Sequence, residues 1–210
     1  MSSHVKHELQ DLLSGTSQVG RGTTIQAAAC HLVRSSQTST TTEGSKHFKR
    51  QEEKDLEKFI TANELWLDVN LSHYVSEGAE QKVYLKDQEN VLKLNDSIYY
   101  QAWKDYFFNL LLHNYFFSDT AYELAGFTKK DGILYAIVKQ PFVLTDERTD
   151  LDQVKSFLTS NGFINTRNND YFNPMLGVIL EDLHDENVLT KNNVLYFIDT
   201  VFYVTEEFWK

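Results

Sequence analysis

The sequence predicts an α+β fold in which a helical N-terminal part precedes antiparallel strands interspersed with single helices. Three observations predict it. Apolar residues recur with helical period in the first 63 positions, two-residue alternation bounded by turn formers recurs between positions 76 and 139, and residues 98–117 are too apolar for a surface helix. Such a helix has to be packed on two sides, between a sheet and a second layer.

At 210 residues the chain is long enough for one domain with an appendage. Twenty basic residues against 30 acidic ones give a net charge of −10, which argues against a footprint on a phosphate backbone, so no nucleic-acid partner is expected. The single cysteine, Cys30, excludes an internal disulfide and a cysteine-built zinc site, and it fits a reducing compartment. No stretch approaches the length of a membrane span, and the first seven residues lack the apolar core of a signal peptide. A cytoplasmic protein without a membrane partner is the expectation.

In chain order, Val5, Leu9, Leu12 and Leu13 share one face of a helix over 4–14 that Gly15 stops, and a second short helix is predicted over 24–33. Gly20-Arg21-Gly22 between them is no phosphate loop, because no strand precedes it and a P-loop lysine is missing. Residues 35–45, rich in Ser and Thr, read as a linker, and a charged helix over 46–63 follows, with Glu52, Glu53, Lys54, Asp55, Glu57 and Lys58 on its solvated face. Residues 76–85 and 90–94 read as strands of a small antiparallel sheet, the first bearing Gly78 and Lys82, the second Lys93. After the buried helix, whose end His113 and Asn114 are expected to cap, strands over 120–127 and 133–139 flank a turn at Lys129-Lys130-Asp131-Gly132, and Pro141 closes the second strand. A helix over 149–161 ends at Gly162, and a polar loop through Asn165, Arg167, Asn168 and Asn169 follows.

The chemistry concentrates between positions 178 and 200. One apolar run (178–180) delivers the polar loop Asp182-Leu183-His184-Asp185-Glu186-Asn187, and a second (194–198) ends on Asp199. The pattern puts Asp182, Asn187 and Asp199 at the ends of two strands expected to be neighbours. Phosphoryl transfer asks for little else of a loop: a carboxylate to orient the attacking hydroxyl, and hard oxygen ligands for magnesium. The competing reading makes Asp182, Asp185 and Asn187 simple turn formers, and Lys93 a lysine on the wet side of an alternating strand.

The spacing from Asp182 to Asn187 resembles the D-x-x-x-x-N of the protein-kinase catalytic loop, with Asp199 where the metal-binding Asp of D-F-G would stand. His184 makes the loop D-L-H-x-x-N, closer to aminoglycoside and choline kinases. The phrases Leu-Leu-Leu-His-Asn-Tyr-Phe-Phe (110–117), Tyr-Glu-Leu-Ala-Gly-Phe (122–127) and Tyr-Ala-Ile-Val-Lys-Gln-Pro-Phe-Val (135–143) look most like the small Ser/Thr/Tyr kinase-like domain of phage and bacterial mobile-element polyvalent proteins. The resemblance implies a reduced two-lobed kinase-like fold: a helical extension over 1–63, an antiparallel N-lobe with an αC-like helix over 64–139, and a truncated C-lobe over 140–210.

The same resemblance implies ATP and Mg2+ as cofactors. Gly78 and Lys82 would lie in a lid over the nucleotide, Lys93 would pair its phosphates, and backbone groups from Val138 to Gln140 would meet the adenine. Asp182 would orient the acceptor, His184 would stand near the transferred group, and Asn187 and Asp199 would hold the metal. Leu180-Glu181 stands where the family pattern has His-Arg before the aspartate, and the sequence departs from that pattern in three other places. The lid keeps one glycine, the helix offers Asp105 where a glutamate would pair with Lys93, and only eleven residues follow Asp199. Two functions follow: a phosphotransferase of unknown acceptor, protein or small molecule, or a catalytically inactive pseudokinase that serves as an interaction module.

Overall fold

The computed structural model describes residues 2–16, 23–38, 45–69, 73–77 and 81–210; Gly20-Arg21-Gly22, Gly78 and most of the expected linker lie outside them. Helices α1 (Ser2–Ser14), α2 (Thr24–Thr38) and α3 (Ser45–Ala62) bury Leu9, Leu13, Leu32, Leu56 and Ile60. Gly15, at φ +81°, supplies the left-handed residue that ends α1. Helix α2 runs past Val33 into the expected linker, because the Ser35 and Ser36 hydroxyls donate back to the Leu32 and Val33 carbonyls and serve the last turn locally. The N-terminal helices share one hydrophobic cluster with the rest of the chain, and Lys6 Nζ donates to the Glu207 carbonyl near the C-terminus.

Strands β1 (Tyr74–Glu77), β2 (Gln81–Leu85), β3 (Asn90–Asn95), β4 (Glu123–Lys130) and β5 (Ile133–Pro141) form an antiparallel sheet in the order β1-β2-β3-β5-β4. The β4–β5 hairpin closes through Asp131 (φ +51°) and Gly132 (φ +82°), the two left-handed residues that a type I′ turn requires. The β4 edge is covered by the segment after α3: Leu67 N donates to Phe127 O at 2.7 Å and Phe127 N to Leu65 O at 2.8 Å. Gly126 permits that approach, since a Cβ there would stand 2.6 Å from the Leu65 oxygen.

Helix α4 (Trp103–Phe116) begins five residues inside the apolar run and is buried as expected. Its Phe107 ring meets Phe127 of β4 edge-on at 6.2 Å, and Phe116 stacks on Phe202 at 5.4 Å. Its N-terminus has no local cap, because Ala102 carries no acceptor. Glu52 of α3 takes that role, accepting from Trp103 N at 2.6 Å and Lys104 N at 3.2 Å. Glu52 is therefore buried, not on the solvated face expected of it, and burial raises its pKa above the usual carboxylate range.

Helix α5 (Leu151–Ser160), capped by Asp150, leads to a hairpin of β6 (Ile164–Arg167) and β7 (Asp170–Asn173) where only a polar loop was expected. Asn168, at φ +47°, makes the turn. Strands β8 (Val178–Glu181), β9 (Val188–Lys191), β10 (Val194–Phe197) and β11 (Val201–Val204) complete the fold. The two apolar runs are β8 and β10, but they are not hydrogen-bonded neighbours: β8 joins a sheet ordered β11-β8-β7-β6, and β10 pairs with β9 in a separate ribbon. Among the described residues no helix is long and apolar enough to cross a membrane.

Candidate functional site

Two-residue alternation on β3 sends Lys93, with Val91 and Asn95, to the sheet face opposite Leu92 and Leu94. Lys93 is 4 % exposed. Its Nζ donates to the Ile198 carbonyl at 2.8 Å, lies 3.9 Å from Asp199 Oδ2 and stands 5.4 Å from the centroid of Tyr122. Burial lowers its pKa and the Asp199 carboxylate opposes that shift. Lysine and aspartate, 106 positions apart, thus meet directly, and Lys93 is not on a wet face.

The 182–187 loop is held from both sides. Asp182 sits at φ +67°, a left-handed backbone that aspartate tolerates better than most residues, with its N–H donating to Asp170 Oδ1 at 3.2 Å. Leu183 N donates to Asn169 O at 3.2 Å, so the β6–β7 hairpin braces the loop. Asn187 Nδ2 donates to the Asp182 carbonyl and to Asp182 Oδ2, each at 2.8 Å. The Asn187 carbonyl accepts from Ile198 N at 2.9 Å and Asp199 N at 3.3 Å. Main-chain bonds therefore tie the loop to the Asp199 segment that Lys93 touches.

Glu186 N donates to His184 Nδ1 at 3.3 Å, and His184 Nε2 lies 3.3 Å from Asp182 Oδ1 and 3.1 Å from Asn187 Nδ2. Burial, with Asp170 and Asp182 as like-charged neighbours, raises the Glu181 pKa.

Other residues singled out by the sequence fall elsewhere. Lys82 pairs with Leu94 and Gln81 with Asn95, so Lys82 stands on the opposite face from Lys93 and Gln81 takes the inner position. The Gln81 amide donates to Asp199 Oδ2. Val138 and Gln140 are buried inside β5, and Gln140 Nε2 donates to Thr120 O at 2.8 Å. Phe142 N donates to Glu89 O on the β3 side, so by alternation the backbone groups of Val138 and Gln140 also face β3. The open stretch of backbone begins at Pro141, past the last β4 partner, Glu123, which pairs with Lys139.

Asp105 makes no ion pair with Lys93: among the described residues its charged neighbours include Lys104, Lys49 and Glu52, and burial raises its pKa. His113 and Asn114 do not cap α4. His113 is wholly buried against Thr200 and Thr120, and Asn114 exchanges two hydrogen bonds with the Tyr122 backbone. Gln81, Asp170, Tyr122 and Thr120 were missed by sequence reasoning. The alternation that selects Gln81 over Lys82 could have been read once Lys93 was given an inward side.

The donor set suits a hard divalent cation shared with phosphates. Asn187 Nδ2 is engaged, which leaves Oδ1 as the acceptor end of its amide, and the Asp199 side chain remains 36 % exposed. Among the described residues no group of three His, Cys, Asp or Glu side chains forms a cation cage, so ligand oxygens would have to complete such a shell. Residues 49–206 match the family model described as "Serine/Threonine/Tyrosine Kinase found in polyvalent proteins". No curated protein and no solved structure matches the chain.

Proposed function

The chain belongs to the serine/threonine/tyrosine kinases found in polyvalent proteins, and from that premise we propose that it transfers the γ-phosphoryl group of ATP, with Mg2+, to a hydroxyl acceptor. The observation that carries the reading is the convergence of the buried Lys93 ammonium on Asp199, with the Asp182 loop tied to the same segment through Asn187.

Each residue has a role the geometry supports. Lys93, held in place by the Ile198 carbonyl, presents a desolvated cation to the α- and β-phosphates, where charge acts more strongly than in water. Asp182 receives the acceptor hydroxyl proton as the new O–P bond forms and the bond between the γ-phosphorus and its bridging oxygen breaks. His184 Nε2 and Asn187 Nδ2, both beside the Asp182 carboxylate, fix its orientation. Mg2+, when bound by Asn187 Oδ1 and Asp199, supplies neutralisation of phosphate charge. The Pro141 carbonyl and the Val143 N–H, beyond the end of β4, are the backbone groups positioned to meet the adenine edge, in place of those from Val138 to Gln140.

A second reading, an inactive interaction module, has one observation in its favour: the Gln81 amide occupies the Asp199 oxygen that a cation needs. Thermal melting with ATP and Mg2+, each alone and together, separates the two. Stabilisation that requires both supports the enzyme; saturation at a hundredfold excess over the dissociation constant is worth about 2.7 kcal/mol. No shift under any combination supports the module. Gln81→Ala adds a check, since release of Asp199 predicts tighter metal-nucleotide binding.

A further inference from the structure

Helix α4 offers Lys93 no carboxylate, yet it grips the segment that carries Asp199 at two points. Asn109 Oδ1 accepts from Phe202 N at 2.8 Å, and His113 Nδ1 lies 2.7 Å from Thr200 Oγ1. The spacings match: four helical residues rise about 6 Å and two strand residues about 6.6 Å, so an i,i+4 pair on the helix meets an i,i+2 pair on the strand.

The direction of the His113 bond follows from its other nitrogen. Nε2 faces the Thr120 carbonyl at 3.1 Å, and a carbonyl only accepts, so Nε2 carries the proton and Nδ1 accepts from the Thr200 hydroxyl. Asn109, His113 and Thr200 are all buried, so these bonds do not compete with solvent. The turn after α4 continues the grip: the Thr120 hydroxyl donates to the Phe197 carbonyl, and the Tyr122 hydroxyl donates to the Ile198 carbonyl at 2.9 Å. Main-chain or hydroxyl groups at 197, 198, 200 and 202 are thus fixed from one side, which leaves the Asp199 side chain as the part turned toward Lys93 and Gln81.

We infer that His113, acting through the Thr200 hydroxyl and assisted by Asn109, is a positioning residue that aims the Asp199 carboxylate at the cation. This rests on the reading of Asp199 as a metal ligand given above. It assigns to a neutral buried histidine the link between helix and metal loop, with no helix-borne carboxylate needed.

The test uses the full chain and reads the Mg2+ concentration that gives half of the ATP-dependent thermal shift. Thr200→Val keeps the shape and removes the hydroxyl, and His113→Phe keeps an aromatic ring and removes both nitrogens. Each is expected to need about tenfold more Mg2+, the usual scale for loss of a group that orients a metal ligand. Thr200→Ser should restore the wild-type requirement. Glu52→Ala, which removes the cap at the far end of the same helix, should lower the melting temperature and leave the Mg2+ requirement alone.

An unchanged requirement in folded Thr200→Val overturns the inference, as does an equal shift in Glu52→Ala, which would indicate general loosening. Should His113→Phe fail to fold, Thr200→Val decides. A wild-type chain without any Mg2+-dependent shift removes the site reading and this inference together; a wild-type shift with indifferent variants removes this inference alone.

Discussion

Replacing Glu52 by alanine tests how firmly the N-terminal helices are joined to the rest of the chain. The carboxylate accepts from the Trp103 and Lys104 N–H groups at a buried helix end, and Ala102 offers no substitute. Truncation leaves one buried and one part-buried donor unpaired, each costing about 1–3 kcal/mol, while relief of the carboxylate's own desolvation offsets part of the loss. A net destabilisation of about 3 kcal/mol follows, or roughly 6–12 °C in Tm for a domain of this size. Glu52→Gln keeps an acceptor and should cost about 1 kcal/mol. Urea unfolding of the three proteins, compared at a common m-value, measures both. A loss below about 1 kcal/mol in Glu52→Ala, or equal losses in the two variants, would refute the assignment of Glu52 as the α4 cap.

Two further outcomes follow from the buried site. His113 is held neutral by burial with its pKa near 3, against 6.5 for the free side chain, so the folded protein binds fewer protons than the unfolded chain between those values and loses stability as pH falls through that window. Between pH 8 and pH 5 the wild type should lose about 2 kcal/mol more than His113→Phe, and parallel pH profiles in chemical denaturation would contradict this. Lys93→Met removes a buried cation of similar length, so Tm should hold or rise while the shift produced by ATP with Mg2+ disappears; a folded variant that keeps the shift would take Lys93 out of nucleotide binding.

What could be read from the sequence and what could not divides along physical lines. The burial of α4 was legible because a 20-residue stretch with so few charges has no stable exposed state, and the meeting of Lys93 with Asp199 was legible from the order of the elements around it. The β6–β7 hairpin was not, because its four-residue strands carry Asn, Arg and Asp on a polar surface and resemble a loop in composition. Glu52 looked like one more charge on a solvated face; only the arrival of a helix end 51 positions later makes it a cap. The choice between Gln81 and Lys82 turned on sheet register, since a one-residue offset exchanges the two faces. His113 carried no local signal, because its partner Thr200 lies 87 positions away and nothing near either residue marks the contact.

The most direct test is turnover of ATP labelled on the γ-phosphate, compared among the wild type, Asp182→Asn and Asp199→Asn, each confirmed as folded. The account predicts Mg2+-dependent turnover in the wild type and a fall of about a hundredfold or more in both variants. Turnover equal to wild type in both would contradict it.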